Sequence, residues 1–233
     1  MLGGGFPQGR VILLIGGPGT GKTVLCSQFL HFGAVEKNER AVYISLDETK
    51  LQYQKEMVAF GWDFLQLEND NKFAYVDGSG VIRTPTQAKV GRIPVGGREL
   101  GLVSLLEMIE TSVEKIGAHR VVLDSIAGLI FRFPKTEDRR LAVLDVMEAL
   151  NGTGATCLVT SETLSRGETR AVQPEEYLAH GVIDLQILPN GIRQIQILKM
   201  RESKSDTTPR PYAINENGIE VSHEEFVYPP TEK

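Results

Sequence analysis

Gly16-Gly17-Pro18-Gly19-Thr20-Gly21-Lys22-Thr23 satisfies the spacing G-x-x-x-x-G-K-[ST], between the apolar run Val11 to Ile15 and a helical-looking stretch from Val24 to Val35. Each residue type has a chemical reason. Glycines let backbone N–H groups turn inward around a polyanion, because no Cβ blocks the unusual dihedrals or the close approach. A helix starting at the end of such a loop adds its free N–H groups and the positive end of its dipole. In this pattern the lysine reaches the β- and γ-phosphates of a triphosphate and the hydroxyl residue sits on Mg²⁺. Gly17, Pro18, Gly19, Thr20, Gly21, Lys22, Thr23 and Val24 are therefore the expected phosphate-binding residues, with Thr23 also a metal ligand.

Carboxylates at strand ends would complete such a site. Val121-Val122-Leu123-Asp124 is an apolar run ending in a lone acid, expected to hold Mg²⁺ directly or through water. Ala41 to Leu46 ends in Asp47-Glu48. In a parallel sheet neighbouring strand ends lie side by side, so one of these acids could orient and deprotonate an attacking water. The same pair also suits a helix start, Asp47 as the cap and Glu48 as a first-turn acid. The guanine-reading pattern N-K-x-D is absent, since Asn71-Lys72 is followed by Phe73-Ala74, which favours another purine.

The elements that must position these groups alternate. After the loop helix and the Ala41–Leu46 strand, Thr49 is a candidate cap for a helix to about Phe60, closed by Gly61. Phe73 to Val76 reads as a strand, Asp77 to Arg98 as a long loop, and Leu100 to Ile116 as a helix. The Asp124 strand, a short apolar segment from Ile126 to Phe133, a helix from Glu137 to Leu150 and a strand from Ala155 to Thr160 follow, then a polar loop from Ser161 to Glu175. Gly181 to Leu188, Arg193 to Met200 and Pro211 to Ile214, separated by turns, read as an antiparallel addition. The expectation is an α/β domain over residues 1–233, with a mostly parallel sheet, helices on both faces, and the ligand at the carboxyl ends of the strands.

Composition narrows the partners. With 233 residues, 41% of them hydrophobic, the chain can build a sizeable core. A net charge of −5 speaks against a general binder of nucleic acid, and Arg166 and Arg170 in the polar loop are offset by Glu162, Glu168 and Glu175. Cys26 and Cys157 have no metal-ligand spacing and suit a reducing compartment. There is no apolar run of the ~20 residues a membrane crossing needs, nor a signal-peptide pattern, so a soluble, cytoplasmic protein is expected.

Taken in order, the phosphate loop, Leu46-Asp47-Glu48-Thr49, Phe60-Gly61-Trp62, Gly96-Gly97, Val121 to Ser125, Thr160-Ser161-Glu162, Lys199-Met200-Arg201 and Pro211-x-x-Ile214-x-x-x-Gly218-Ile219 resemble the KaiC-like branch of the RecA/RadA superfamily of ATPases, over nearly the whole chain. The resemblance implies a RecA-like core and a homo-oligomeric ring, commonly a hexamer, with ATP and Mg²⁺ at the subunit seams. It makes Glu48, with Asp47 beside it, the general base. Lys199, Met200, Arg201 and Ser203 would complete the nucleotide site from a neighbouring subunit, Lys199 and Arg201 reaching the γ-phosphate. Apart from the resemblance, Lys199 and Arg201 would read as a charged outer face of an edge strand.

The sequence departs from the family in two places, with Asp47 where Glu is usual and Glu202 where Gly is usual. Relatives also generally carry a short segment before Leu2-Gly3-Gly4-Gly5. Three other readings stand beside a turning-over ATPase. One is an assembly module gated by nucleotide, another a RadA-like DNA binder, and the third an autokinase modifying Thr136.

Overall fold

In the computed structural model, residues 1–80, 87–90, 93–133, 135–163, 165–166, 169–170 and 172–222 are described. β1 (Val11–Gly16) leads through the glycine loop into α1 (Lys22–Glu36), and β2 (Ala41–Ser45) into α2 (Lys50–Val58) and α3 (Phe64–Asn69). β3 (Phe73–Asp77) is followed by a hairpin, β4 (Gln87–Val90) with β5 (Ile93–Gly96), and then by α4 (Gly97–Ile116). β6 (Arg120–Asp124), α5 (Ala127–Ile130), α6 (Thr136–Gly152) and β7 (Thr156–Glu162) come next. A two-residue pair, β8 (Ser165–Arg166) and β9 (Thr169–Arg170), precedes α7 (Pro174–Leu178). Four strands come last among the described residues: β10 (Gly181–Ile187), β11 (Arg193–Met200), β12 (Arg210–Asn215) and β13 (Gly218–Val221).

The main sheet has nine strands in the order β13-β12-β11-β10-β1-β7-β6-β2-β3. Every neighbour from β3 to β10 is parallel, and every neighbour from β10 to β13 is antiparallel. Parallel strands are covered on both faces and so need unbroken apolar runs, and β1 (VILLIG) is buried along its whole length. Val11, Leu13 and Ile15 face Leu105 and Ile109 of α4 and Val143 and Val146 of α6. Ile12 and Leu14 face Cys26 and Leu30 of α1 and Tyr53 and Met57 of α2. Burial pushes both thiols up, that of Cys157 to about 12. Among the described residues no helix is long and apolar enough to cross a membrane.

The alternating α/β core with helices on both faces is as the sequence implies, and several elements differ in detail. Gly181–Ile187 is not antiparallel to what precedes it. It lies parallel beside β1, because α7 carries the chain back across the sheet, and the antiparallel part begins only with β11. Helix α3 is additional, capped by Asp63, whose carboxylate accepts from the N–H of Gln66 at 2.8 Å. The Asp77–Arg98 stretch holds the β4–β5 hairpin and the start of α4, while residues 81–86 and 91–92 lie outside the described set. Ile126–Phe133 is a packed turn around α5, with Leu129 and Ile130 buried.

Candidate functional site

The glycine loop leaves the carboxyl end of β1 in the middle of the sheet, where the strand order reverses. Helix α1 starts at Lys22 with Gly21 as its N-cap, and neither a capping side chain nor an acid occupies its first turn. Its leading N–H groups therefore keep their capacity for an anion. The Lys22 ammonium folds back over the loop and donates to the carbonyls of Gly16 (2.8 Å) and Gly17 (3.1 Å). Burial lowers its basicity, opposed by the negative charges of Asp124 and Glu162.

The loop is braced from behind by the C-terminal strands. Tyr212 donates its hydroxyl to the Thr20 carbonyl, and Thr20 donates its own to the Gly17 carbonyl at 2.9 Å. Gly21 holds φ 90°, and a Cβ there would stand 2.6 Å from Ile214 Cδ1. Gly21→Ala is therefore expected to cost about 1–3 kcal/mol, through left-handed backbone and overpacking together, measured as a fall in the urea midpoint at unchanged m-value.

Asp124 ends β6 two strands away from β1, and β7 lies between them. Its carboxylate accepts three hydroxyls. Thr23 donates to Oδ2 at 2.7 Å, Tyr43 donates to the same oxygen at 2.6 Å, and Thr160 of the intervening strand donates to Oδ1. Thr23 and Asp124 thus meet with hard oxygen donors at the first turn of α1, a donor set suited to Mg²⁺. Among the described residues no three His, Cys, Asp or Glu side chains gather as an all-protein metal site. One hydroxyl and one carboxylate beside a phosphate loop fit a cation that brings phosphate and water as its other ligands.

Asp47 and Glu48 follow β2, which pairs with β6 so that Ser45 sits opposite Asp124. The capping alternative fails for both, because the cap of α2 is Thr49, whose hydroxyl accepts from Gln52 N–H, and the Glu48 N–H is taken by Ser45 Oγ at 2.9 Å. Tyr75 donates to the Glu48 carbonyl at 2.7 Å and fixes its backbone. Glu48 Oε2 is buried without a hydrogen-bond partner. Burial first, then the charges of Glu56, Asp124 and Asp47, push the Glu48 carboxyl up to about 7. Asp47 is raised too, by desolvation and by Asp124. A carboxylate held near neutrality in a partly dry cleft is a chemically competent proton acceptor.

Lys199, Met200, Arg201 and Ser203 are not brought to this loop within the chain. Met200 pairs with Gly181 at the amino end of β10, which is level with Ile12, about 13 Å along the strand from Gly16. The register of β11 slips beside Val182 and Ile183: Ile197 faces Ile183, Lys199 faces Val182, and Leu198 is the extra residue of a bulge. Ile195 and Ile197 point into the α1-side core, and the bulge turns Lys199 to the opposite face. There its ammonium donates to the carbonyls of Glu176 (2.7 Å) and Tyr177 (3.3 Å), while Arg201 donates to that of Tyr177 at 3.3 Å. Glu202 holds φ 59°, the left-handed backbone that glycine favours, and its carboxylate pairs with Arg10 at 2.5 Å. The side chains of Arg166 and Arg170 lie outside the described set.

Three groups to which the sequence alone assigns no role stand in the site. Tyr43 and Thr160 hold Asp124, and Glu162, in register with Gly16, places its charge near Lys22 and Asp47. Only Glu162 carried a readable signal, as an acid at the carboxyl end of a strand.

The family description "ATPase: KaiC" matches residues 1–225. A UPF0273 protein of Methanocaldococcus jannaschii is 34% identical over 228 residues, which cover 95% of this chain and 91% of the relative. The circadian clock oscillator protein KaiC of Synechococcus elongatus is 30% identical over 222 residues, 94% of this chain but 41% of that protein. The crystal structure of a KaiC-like protein from Pyrococcus horikoshii matches with a TM-score of 0.78 at 32% identity, covering 95% of this chain and 93% of the other. A phosphate loop at the switch point of a mostly parallel sheet, extended by antiparallel strands that brace it, agrees with these matches, and the chain belongs to the KaiC-like ATPase family.

Proposed function

We propose that the chain, as one domain, binds ATP with Mg²⁺ and hydrolyses it at the seams of a homo-oligomeric, hexameric ring, in a regulatory role in the cytoplasm. The observation that carries this is the desolvated, unpartnered Glu48 carboxylate beside the Thr23–Asp124 pair and the phosphate loop. Gly17 to Val24 wrap the phosphates, and Lys22 leaves the carbonyls of Gly16 and Gly17 for the β- and γ-oxygens. Thr23, and Asp124 through water, would hold Mg²⁺, which would supply positive charge against those oxygens. Asp124 has its lone pairs engaged by Tyr43 and Thr160, which fixes the carboxylate toward Thr23. Glu48 takes the proton of the attacking water, and the negative charge of Asp47 helps keep its basicity high. Lys199 and Arg201, out of reach of their own loop, serve the next subunit, with Met200 and Ser203 flanking them at the seam. Arg10 binds Glu202, which draws that carboxylate away from a neighbour's phosphates.

The test joins turnover to assembly. Phosphate release should need Mg²⁺ and stop with EDTA. Lys199→Ala with Arg201→Ala should lower it by about 10³-fold or more, the scale of a cation supplied in trans, while ATP binding persists. Native mass spectrometry with and without ATP follows the ring. Full turnover by a monomer, or by the double variant, would overturn the proposal.

A further inference from the structure

Within one chain a path of hydrogen bonds joined by short chain links connects the strand end at the phosphate site to the two cations at the far end of the sheet. It runs through β7 and α7. Thr160 and Ser161 are consecutive and point to opposite faces, since Thr160 is level with Leu14 and Ser161 with Ile15. The Thr160 hydroxyl donates to Asp124 on the α1 side. On the other side the Ser161 hydroxyl donates to Glu175 Oε1 at 2.9 Å. Glu175 is 2% exposed, an acid buried in the core side of α7.

Helix α7 is short and firmly set. Pro174 opens it, and the Gln173 N–H donates back to Glu176 Oε1 at 2.8 Å. Its later carbonyls, those of Glu176 and Tyr177, accept from Lys199 and Arg201, and the Arg201 N–H donates to the His180 carbonyl at 3.0 Å. From the level of Ser161 to that of Gly181 is three rungs, about 10 Å, which the chain from Glu175 through α7 to Gly181 spans. A shift of the β7 end is thus delivered, through one buried carboxylate, to the helix whose carbonyls hold Lys199 and Arg201.

We propose that Glu175, bound by Ser161, is a positioning residue that sets Lys199 and Arg201 according to the state of the chain's own phosphate site, so that one subunit's nucleotide governs hydrolysis at the next. This rests on the seam reading above, in which those cations act in trans. A buried hydrogen bond between rigid elements is a physical route for such coupling, because packed elements move as units.

The experiment mixes full-length wild-type subunits with an excess of silent ones and reads phosphate release per wild-type subunit. Glu48→Gln alone, silent in its own site with cations in place, sets the reference rate. Adding Lys199→Ala and Arg201→Ala to the silent subunit should poison its wild-type neighbours. Adding Ser161→Ala instead should lower the neighbours' rate about tenfold or more, by misplacing cations it does not remove, with the silent subunit's own ATP affinity unchanged. Carrying Glu175→Gln in place of Ser161→Ala, which keeps a partner for the Ser161 hydroxyl, should leave most of the reference rate. If the Ser161→Ala subunit matches the reference while the Lys199/Arg201 subunit poisons, the coupling is overturned and the seam reading stands. If the Lys199/Arg201 subunit does not poison either, both fall. Melting and size-exclusion runs check assembly, and Glu175→Ala breaks the same bond from the other side should Ser161→Ala not fold.

Discussion

Replacing Glu48 with glutamine is expected to lower phosphate release by about 10²–10⁴-fold while ATP affinity changes little. The substitution keeps the shape of the side chain and its fixed backbone, held by Tyr75 and Ser45, and removes only the capacity to accept a proton. In the wild type the rate should rise with pH through about 7, where the carboxyl ionises, and level off above it. The residual rate of Glu48→Gln should lack that inflection.

Stability supplies a second readout with a definite sign. The folded-state value of Glu48 lies above its ordinary one, so the native state favours the protonated acid. That preference is fully present below about 4.5 and is lost as pH rises through about 7, where the fold must carry a desolvated charge. Glu48→Gln should therefore melt at a higher temperature than the wild type at pH 8, with the gap closing toward pH 4. An equal or lower melting point at pH 8 would mean that the carboxylate has a compensating partner. Such an exchange of stability for reactivity is common where a site needs an unfavourable charge.

Lys22→Met should abolish ATP binding at concentrations that saturate the wild type, a loss of at least 10²-fold in affinity. Hydrogen bonds to charged groups contribute about 1.5–3 kcal/mol each, and each 1.4 kcal/mol is tenfold, so losing two phosphate contacts reaches that figure. The ligand-free protein should melt where the wild type does or slightly above, because the ammonium is already penalised by burial. At ATP one hundred times its Kd the wild type should gain about 2.7 kcal/mol, a rise of roughly 5–10 °C, and the variant none. A retained thermal shift would show that the loop backbone and helix start carry the phosphates without the lysine.

Much of this site could be read from spacing alone. The glycines, Lys22 and Thr23 sit in consecutive positions, and Asp124, Asp47 and Glu48 each end an apolar run, so local sequence marked them. Tyr43 and Thr160 were hidden for the opposite reason. Both stand inside strands, where a hydroxyl among aliphatic neighbours looks like ordinary sheet composition, and only the register between β1, β7, β6 and β2 brings them to Asp124. The direction of β10 was illegible too, since the burial of a strand depends on whether its faces are covered and says little about which way its neighbour runs. The bond between Ser161 and Glu175 spans a segment with no periodicity, and nothing local announces it.

The slip at Leu198 also makes counting matter as much as chemistry along β11. Side chains on a strand obey parity, and one supernumerary residue converts an odd position into an even one. Pulling Leu198 back into regular alternation at unchanged strand length would swing the Lys199 ammonium into the aliphatic layer that holds Ile195 and Ile197, a burial costing several kcal/mol without a counter-ion. Deleting Leu198 instead sets Lys199 directly after Ile197, on the face it already occupies. Shortening by one residue at this spot should therefore be tolerated far better than any change that flattens the bulge, so the extra residue acts as a switch of face in its own right.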